Sequence, residues 1–399
     1  MRLYNTLSRR VEELSFPSGE VKLYVCGVTP YDTSHLGHAR VAVVYDTLRR
    51  YLEFRGLRVR YVQNVTDIDE PLFERARRDG VDWRTLGAQQ TQRYLESMAR
   101  LHVAKAEFYV PATSVIPQMQ AVIERLIAQG YAYAVNGAVY FQAAADKHFG
   151  AIAHTDYAGL LAMANEMGNN PHDPHKRDPL DFVLWQPSQP DEPAWPSPWG
   201  AGRPGWHIEC STMATEYLGP QVDIHGGGAD LIFPHHACEI AQAEPATGVA
   251  PFVRCWMHTG LVALGGTKMS KSLGNMVFVD DVLAHYSPDA LRLAILSYPY
   301  AEPFEYTVER VAQAEQHVQT MRAALLAPTD TTGKEFDGRE PYAQFLQALE
   351  DDFDTPRAIL ALVALAQAIT QAAAAGQGVA AARQALRDLS QVLGCDSIL

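Results

Sequence analysis

Residues 21–38 read VKLYVCGVTPYDTSHLGH and combine a strand, a turn and the start of a helix. The apolar run Val21–Cys26 predicts a buried strand, and the glycine and proline after it predict a turn. Apolar residues recur at helical spacing over Leu36–Phe54, which predicts a helix there. A second strand is predicted at Arg58–Gln63, and another helix begins near Pro71. This order predicts a doubly wound α/β domain with a parallel sheet.

The bulk composition limits the classes of protein to consider. The chain has 399 residues, of which 47% are hydrophobic and 20% charged, enough for a large core and two or three domains. No apolar run reaches the length of a membrane span and no export signal is present, so we predict a cytoplasmic protein without a membrane partner. The net charge of −13 argues mildly against a protein that mainly coats nucleic acid. Five scattered cysteines favour reduced thiols, some of them metal ligands, over a disulfide scaffold.

Changes in composition predict how the chain is divided. The predicted parts are a nucleotide-binding domain formed by 1–110 and 205–275, a subdomain inserted at 111–204, a linker at 276–306 and a C-terminal helical bundle at 307–399. Within the insertion, a helix is predicted at Ile116–Gln129 and a β-hairpin around Asn136-Gly137. Residues 206–230 read as strand and loop, and a helix begins near Pro234.

Two short motifs indicate phosphate chemistry. His35, Gly37 and His38 lie where the first strand and its turn enter a helix, and helix N-termini attract anions. Far downstream, Lys268 and Lys271 bracket small hydroxyl residues in the stretch KMSKS, which suits a loop that closes over a triphosphate. Each motif alone is compatible with capping histidines or a solvated basic loop. Together they resemble the signature pair of class I aminoacyl-tRNA synthetases, which implies ATP with Mg²⁺ as cosubstrate and the synthetase form of the Rossmann-like fold.

Four residues have the right chemistry for a metal site. Cys26 ends the first strand, Cys210 closes the stretch GWHIEC, and His235 and Glu239 follow at a spacing that places both on one helix face. Two thiolates, one imidazole and one carboxylate suit a single Zn²⁺ per chain. Such a zinc binds a substrate thiol but not a serine hydroxyl, whereas a hydrophobic pocket separates near-isosteres only ~10–200-fold.

The same four residues match the zinc ligands of cysteinyl-tRNA synthetases, which this chain resembles over almost its full length. Further matching stretches are YVCG at 24–27, NVTDID at 64–69, GWHIEC at 205–210 and HGGGAD at 225–230. The resemblance implies that Thr66 and Trp206 line a cysteine pocket and that His225 closes it. It also implies that Asp230 and the HLGH segment hold the adenosine.

The acceptor of the activated cysteine stays open between two resembling families. Because the sequence given stops soon after the predicted bundle, we expect no anticodon-binding domain, which resembles the ligase that joins cysteine to glucosaminyl-inositol in mycothiol synthesis. The amino-acid sequences of Val28–Asp32 and of Asp69–Ala76 also resemble those of that ligase. Glu239, by contrast, is the carboxylate expected in tRNA synthetases, and Ala237 replaces a glutamate common to both families. We therefore expect an aminosugar acceptor, with tRNA or another amine as alternatives.

The expected mechanism begins with the cysteine carboxylate, which attacks the α-phosphate of ATP. His35 and His38 stabilise the charge that develops, and Lys268 and Lys271 escort pyrophosphate away. An acceptor amine then attacks the mixed anhydride and releases AMP. A non-catalytic paralogue that only binds is the alternative of another class, and the intact motifs argue against it.

Overall fold

The protein is represented by a computed structural model that describes residues 1–31, 34–269, 273–329 and 334–398. Its strands are β1 (Arg2–Asn5), β2 (Arg10–Glu13), β3 (Glu20–Val28), β4 (Arg58–Val65), β5 (Phe108–Pro111), β6 (Ala132–Val135), β7 (Ala138–Phe141), β8 (Phe182–Pro187), β9 (Gly202–Pro204), β10 (Val222–Gly228), β11 (Val253–Thr259), β12 (Val262–Leu264), β13 (Thr267–Lys268) and β14 (Phe304–Glu305). Its helices are α1 (Leu36–Phe54), α2 (Glu70–Asp79), α3 (Trp83–Arg100), α4 (Ile116–Ala128), α5 (Tyr157–Glu166), α6 (Trp206–Leu218), α7 (Ala237–Thr247), α8 (Val279–Leu283), α9 (Pro288–Leu296), α10 (Val308–Leu326), α11 (Arg339–Glu350), α12 (Thr355–Ala374) and α13 (Ala380–Val392).

A five-stranded parallel sheet forms the centre of the molecule, with strand order β11-β10-β3-β4-β5. Both of its faces are covered, so most residues of β3 and β4 are buried, including the polar Gln63 and Asn64 of β4. The predicted helix over residues 36–54 is confirmed, and the predicted strands are confirmed with one or two more residues at their ends. The doubly wound α/β class predicted from residues 21–38 is therefore correct.

The inserted segment contains a four-stranded antiparallel sheet with order β6-β7-β8-β9. Its predicted hairpin is confirmed: Asn136 and Gly137 form the two-residue turn with positive φ angles of 49° and 84°. Such turns match the twist of paired strands, and asparagine and glycine adopt them most readily. The domain boundaries predicted from composition stay a proposal.

One part of the local prediction is wrong, because residues 206–218 form helix α6 and not strand and loop. The stretch from Ile208 to Ala214 is buried on every side of the helix, including the polar residues within it. A helix that is buried all round has no polar stripe, so its sequence lacks the usual helical signature. The error matters because α6 carries Trp206 and Cys210.

The C-terminal helices α10, α11, α12 and α13 pack into the predicted bundle, and their buried residues join the core that contains α1. Arg292 of α9 is fully buried and connects the C-terminal helices to α1 through hydrogen bonds. Its guanidinium donates to Asp46 Oδ2 at 2.7 Å, to the Leu101 carbonyl at 2.8 Å and to the Leu393 carbonyl at 2.9 Å. The bundle thus supports the helix whose first turn borders the candidate site.

Helix α12 is also long and apolar enough to cross a membrane by length and composition alone. Half of its apolar window is buried inside the molecule, and residues such as Leu362, Leu365 and Ile369 are fully buried in the core. This burial is typical of the central helix of a bundle.

Candidate active site

A cavity of about 390 Å³ opens at the carboxyl ends of β3, β10 and β11, beside the N-terminus of α1. Open α/β sheets bind ligands at this edge. The lining includes Gly27, His38, Trp206, Asp230 and Lys268. Residues from both signature motifs therefore lie on one cavity.

His35 and His38 lie at the start of α1, as the sequence predicts, and both line the cavity. His35 is the N-cap, and its Nδ1 accepts a hydrogen bond from the Gly37 amide at 3.1 Å. The His35 and His38 rings stack with centroids 3.7 Å apart, and His38 packs edge-on against Tyr94. A β-carbon on residue 37 would lie 2.9 Å from the His35 ring, so this approach requires glycine.

Lys268 reaches the same cavity from the opposite side. It ends β13 and is exposed to solvent; β13 pairs with β12, the strand that follows the edge strand β11 along the chain. A flexible cation at this position can approach a phosphate chain bound at the start of α1. Lys271, the second predicted lysine, lies outside the described residues.

The four predicted metal ligands converge below the cavity although they come from distant parts of the chain. Cys26 lies two residues before the end of β3, Cys210 lies in α6, His235 precedes α7, and Glu239 lies in the first turn of α7. Their ligand atoms all lie within 4.8 Å of one another. The Cys26 and Cys210 sulfurs are 3.9 Å apart, and His235 Nε2 lies 3.3 Å from Glu239 Oε1.

The chemistry of these donors fits a divalent cation. All four are buried, and burial raises the pKa of the Cys26 thiol and of the Glu239 carboxyl well above their usual ranges. Burial also lowers the pKa of His235, so its ring is a neutral donor at neutral pH. Deprotonated thiols and a carboxylate would be costly in this setting without a compensating positive charge. The four residues therefore fit a zinc ion, which as a Lewis acid would hold a substrate thiolate.

A second set of donors overlaps the first and consists of Cys26, His225, His236 and Glu239. His225 Nε2 lies 3.0 Å from Glu239 Oε2, and His236 Nε2 lies 3.4 Å from the Cys26 sulfur. We take the first set as the candidate site because it contains two thiols, which zinc favours. His225 and His236 then surround the metal ligands and orient them.

A network of buried imidazoles accompanies the ligands, and sequence reasoning missed two of its members, His207 and His258. The His207 and His235 Nδ1 atoms are 3.0 Å apart, and His236 Nδ1 lies 2.6 Å from His258 Nε2. Burial lowers the pKa of His207 to about 4 and that of His258 to about 3, so both rings are neutral. The signal available for His207 was its place within GWHIEC, three residues before Cys210.

Replacing His207 by alanine should weaken metal binding about 10- to 100-fold, because the ring that orients His235 is lost. Competition with a chelator measures this affinity directly. His148→Ala is the matched control, since His148 is an exposed histidine of the inserted subdomain. Equal metal affinity in the His207 variant and the wild-type protein would contradict the positioning role.

Of the residues expected to bind cysteine and adenosine, Trp206 and Asp230 line the cavity, whereas Thr66 and His225 do not. Trp206 lines the cavity and stacks on the candidate ligand His235 with ring centroids 4.3 Å apart. Asp230 also lines the cavity, just beyond β10. Thr66 and His225 are buried and are not among the described residues that line this cavity. The Thr66 hydroxyl instead accepts a hydrogen bond from Asn64 Nδ2 at 3.1 Å.

A strand-end cavity lined by a histidine pair at a helix N-terminus and by Lys268 is the arrangement expected of a catalytic domain of the class I synthetase type. Comparison with protein families agrees: residues 13–316 match the model described as tRNA synthetases class I (C) catalytic domain, and residues 344–395 match a DALR domain. The chain belongs to the class I (C) tRNA synthetase family. As a member of this family it is an ATP-dependent ligase.

The relatives are cysteine ligases of two kinds. A cysteine–tRNA ligase of Dehalococcoides mccartyi is 40% identical over all of this chain and 87% of its own length. An L-cysteine:1D-myo-inositol 2-amino-2-deoxy-alpha-D-glucopyranoside ligase of Frankia casuarinae is 44% identical over 91% of this chain and 77% of its own length. Among solved structures, a Mycobacterium tuberculosis methionyl-tRNA synthetase in complex with methionyl-adenylate covers 95% of this chain and 89% of its own, with a TM-score of 0.67 and 16% identity. This last likeness concerns the fold alone.

Proposed function

We propose that this protein activates L-cysteine as cysteinyl-adenylate and transfers the cysteinyl group to the amine of glucosaminyl-inositol. One observation carries the proposal: Cys26 belongs both to the buried donor cluster and to the lining of the cavity beside His38. A molecule in that cavity can therefore reach the metal ligands with one end and the phosphate-binding helix with the other. A cytoplasmic location accompanies this proposal, since ATP and reduced cysteine are both available there.

Selection of cysteine follows from the chemistry at the floor of the cavity. A zinc held by Cys26, Cys210, His235 and Glu239 would accept a thiolate and leave a serine hydroxyl unbound. Trp206 stacks on His235 in the wall of the cavity, and its ring would help to exclude water from a substrate sulfur bound at the cluster. Selection by the metal is stronger than selection by size in an apolar pocket, which reaches only ~10–200-fold.

Adenylation depends on side chains placed around the phosphates. The cysteine carboxylate attacks the α-phosphorus of Mg-ATP, and the bond to pyrophosphate breaks. His35 and His38 donate hydrogen bonds to the phosphate oxygens as negative charge builds up, and the dipole of α1 adds to this field. Lys268 and Lys271 neutralise the departing pyrophosphate. The acceptor nitrogen then attacks the cysteinyl carbonyl carbon, an amide forms, and AMP leaves.

The choice of an aminosugar acceptor rests on local sequence and on the relatives. The 44% identity to the Frankia ligase supports an aminosugar acceptor, and so do the amino-acid sequences of residues 28–32 and 69–76. A second candidate is the charging of tRNA, which the position of Glu239 favours. Its carboxylate lies within the donor cluster, and a carboxylate there is expected of a tRNA synthetase. A further amine acceptor is the third possibility.

Product analysis distinguishes these acceptors. Purified protein is incubated with ATP, cysteine and either glucosaminyl-inositol or tRNA, and the products are identified by mass spectrometry together with AMP. We expect a cysteinyl amide of the aminosugar, with AMP release stimulated by the aminosugar alone. Stimulation by tRNA alone, with cysteinyl-tRNA as product, would replace the proposed acceptor by the second candidate.

A further inference from the structure

Two of the three candidate ligands that bind a metal as anions have a buried imidazole beside them. His225 Nε2 lies 3.0 Å from Glu239 Oε2, and His236 Nε2 lies 3.4 Å from the Cys26 sulfur. A carboxylate or a thiolate can only accept, so in each pair the imidazole nitrogen is the donor. The third anionic ligand is Cys210, and among the described residues no imidazole forms a hydrogen bond with its sulfur.

Tyr24 reaches the same cluster from strand β3. Side chains alternate between the two faces of a sheet, and Tyr24 and Cys26 accordingly belong to the apolar core on one face, whereas Leu23 and Val25 belong to the core on the other. Tyr24 also pairs in register with His225 of the neighbouring strand β10, and the two ring centroids are 4.8 Å apart. The tyrosine ring is therefore fixed beside the candidate metal ligands.

The hydroxyl of Tyr24 is sealed from solvent and forms no complete hydrogen bond within the part of the chain that the structure describes. Its polar neighbours are the candidate ligands. Burial raises the pKa of Tyr24 well above its usual range, and negative charge on Cys210 has the next largest effect, ahead of Cys26 and Glu239. A buried hydroxyl without a partner costs free energy, so an acceptor that forms beside it is favoured.

The strength of Cys210 as an acceptor depends on its charge. A neutral thiol accepts hydrogen bonds only weakly, whereas bonds to an ionised acceptor are roughly twice as strong as neutral ones. Zinc is bound by thiolates, so a zinc ligand at Cys210 is a strong acceptor next to the Tyr24 hydroxyl. The hydroxyl hydrogen can turn toward that sulfur while the ring stays in place.

We propose that the Tyr24 hydroxyl donates a hydrogen bond to the Cys210 thiolate and is a positioning residue of the metal site. Each of the three anionic ligands then has one buried donor. Two thiolates and a carboxylate outweigh the two positive charges of a zinc ion, so donors that disperse the ligand charge help the site to accept the thiolate of the substrate. The inference rests on the proposed zinc site and on cysteine activation, and it is independent of the acceptor.

Tyr24→Phe tests this hydrogen bond, because it removes the hydroxyl and keeps the ring. Cobalt(II) in place of zinc gives thiolate-to-metal charge-transfer bands in the near ultraviolet, and a hydrogen bond to a thiolate moves its band to shorter wavelength. Loss of the bond should therefore move the band to longer wavelength. Competition with a chelator should show metal affinity lowered about tenfold.

Tyr61→Phe is the matched control. Tyr61 is also a buried tyrosine of the central sheet, in β4, but it belongs to the core on the opposite face from the candidate ligands. This variant should show the wild-type band position and a metal affinity within twofold of wild type.

A second change at the same position separates hydrogen-bond donation from packing. Replacing Tyr24 by 3-fluorotyrosine makes the hydroxyl a stronger donor with little change in ring size. The band should then move to shorter wavelength, opposite to the shift in Tyr24→Phe. A residue that only fills space would give no such reversal, so equal band positions for the fluorinated and the wild-type protein would contradict donation.

The same variants distinguish failure of this inference from failure of the zinc site. In cysteine-dependent pyrophosphate exchange, Tyr24→Phe should raise the KM for cysteine about tenfold and leave the KM for ATP within twofold of wild type. An unchanged band and unchanged metal affinity in Tyr24→Phe would overturn the inference and leave the zinc site standing. Wild-type protein that binds cobalt without a thiolate band would overturn the zinc site and the inference together.

Discussion

Cys210→Ser is expected to lose bound zinc and, with it, cysteine activation. The Cys210 sulfur lies 3.9 Å from that of Cys26 and is one of only two thiols in the candidate ligand set. A serine hydroxyl stays protonated and is a poor zinc ligand, so the remaining donors would hold the metal weakly. Metal analysis after gel filtration should show zinc well below one per chain, and cysteine-dependent pyrophosphate exchange should fall by about 1,000-fold or more.

Cys255→Ser is the matched control for this variant. Cys255 is also fully buried, in β11, but it is not part of either donor set, and its sulfur lies 3.9 Å from the Tyr4 carbonyl, which a serine hydroxyl can use. Zinc content and exchange should stay close to wild type in this control. Full zinc content together with full exchange in Cys210→Ser would exclude Cys210 as a ligand.

His38→Ala is expected to lower the rate of adenylation by about 10²- to 10³-fold, because a hydrogen-bond donor to the phosphate oxygens is removed. The ring is stacked on His35 and held edge-on by Tyr94, so it is already in place before the substrate arrives. Its loss should not alter cysteine binding, which depends on the donor cluster at Cys26 and Cys210. Rapid-quench measurement of pyrophosphate release gives the rate, and titration with cysteine gives the affinity.

The control for the His38 variant is His172→Ala, since His172 is an exposed histidine of the inserted segment and does not line the cavity. It should release pyrophosphate at the wild-type rate. A His38 variant that adenylates as fast as this control would show that the histidine pair only caps the helix. Weaker cysteine binding with an unchanged rate would place His38 in the amino-acid pocket instead.

Local patterns were sufficient to predict the start of the fold. Strand β3, the histidine pair and helix α1 follow one another closely in the sequence, so they could be predicted without knowledge of any distant contact. The turn at Asn136-Gly137 was predictable for the same reason, because its backbone geometry selects those two residue types. Helix α6 was not, since burial on all sides removed the periodicity on which such a prediction depends.

The candidate site was predictable where its chemistry is unusual and unpredictable where it depends on packing. Cys26, Cys210, His235 and Glu239 were predicted as metal ligands because they lie in motifs that resemble those of cysteinyl-tRNA synthetases and have donor types that suit zinc. The partnership of His207 with His235 depends on how α6 lies against α7, and no motif encodes that contact.

The central claim is that the buried cluster holds a metal which receives the thiol of the substrate. Cobalt(II) in place of zinc reports on this contact, because each thiolate bound to it adds a charge-transfer band in the near ultraviolet. With the Cys26 and Cys210 bands already present, addition of L-cysteine should increase the absorbance, whereas L-serine at the same concentration should not. No increase at cysteine concentrations that support pyrophosphate exchange, or an equal change with serine, would contradict the claim.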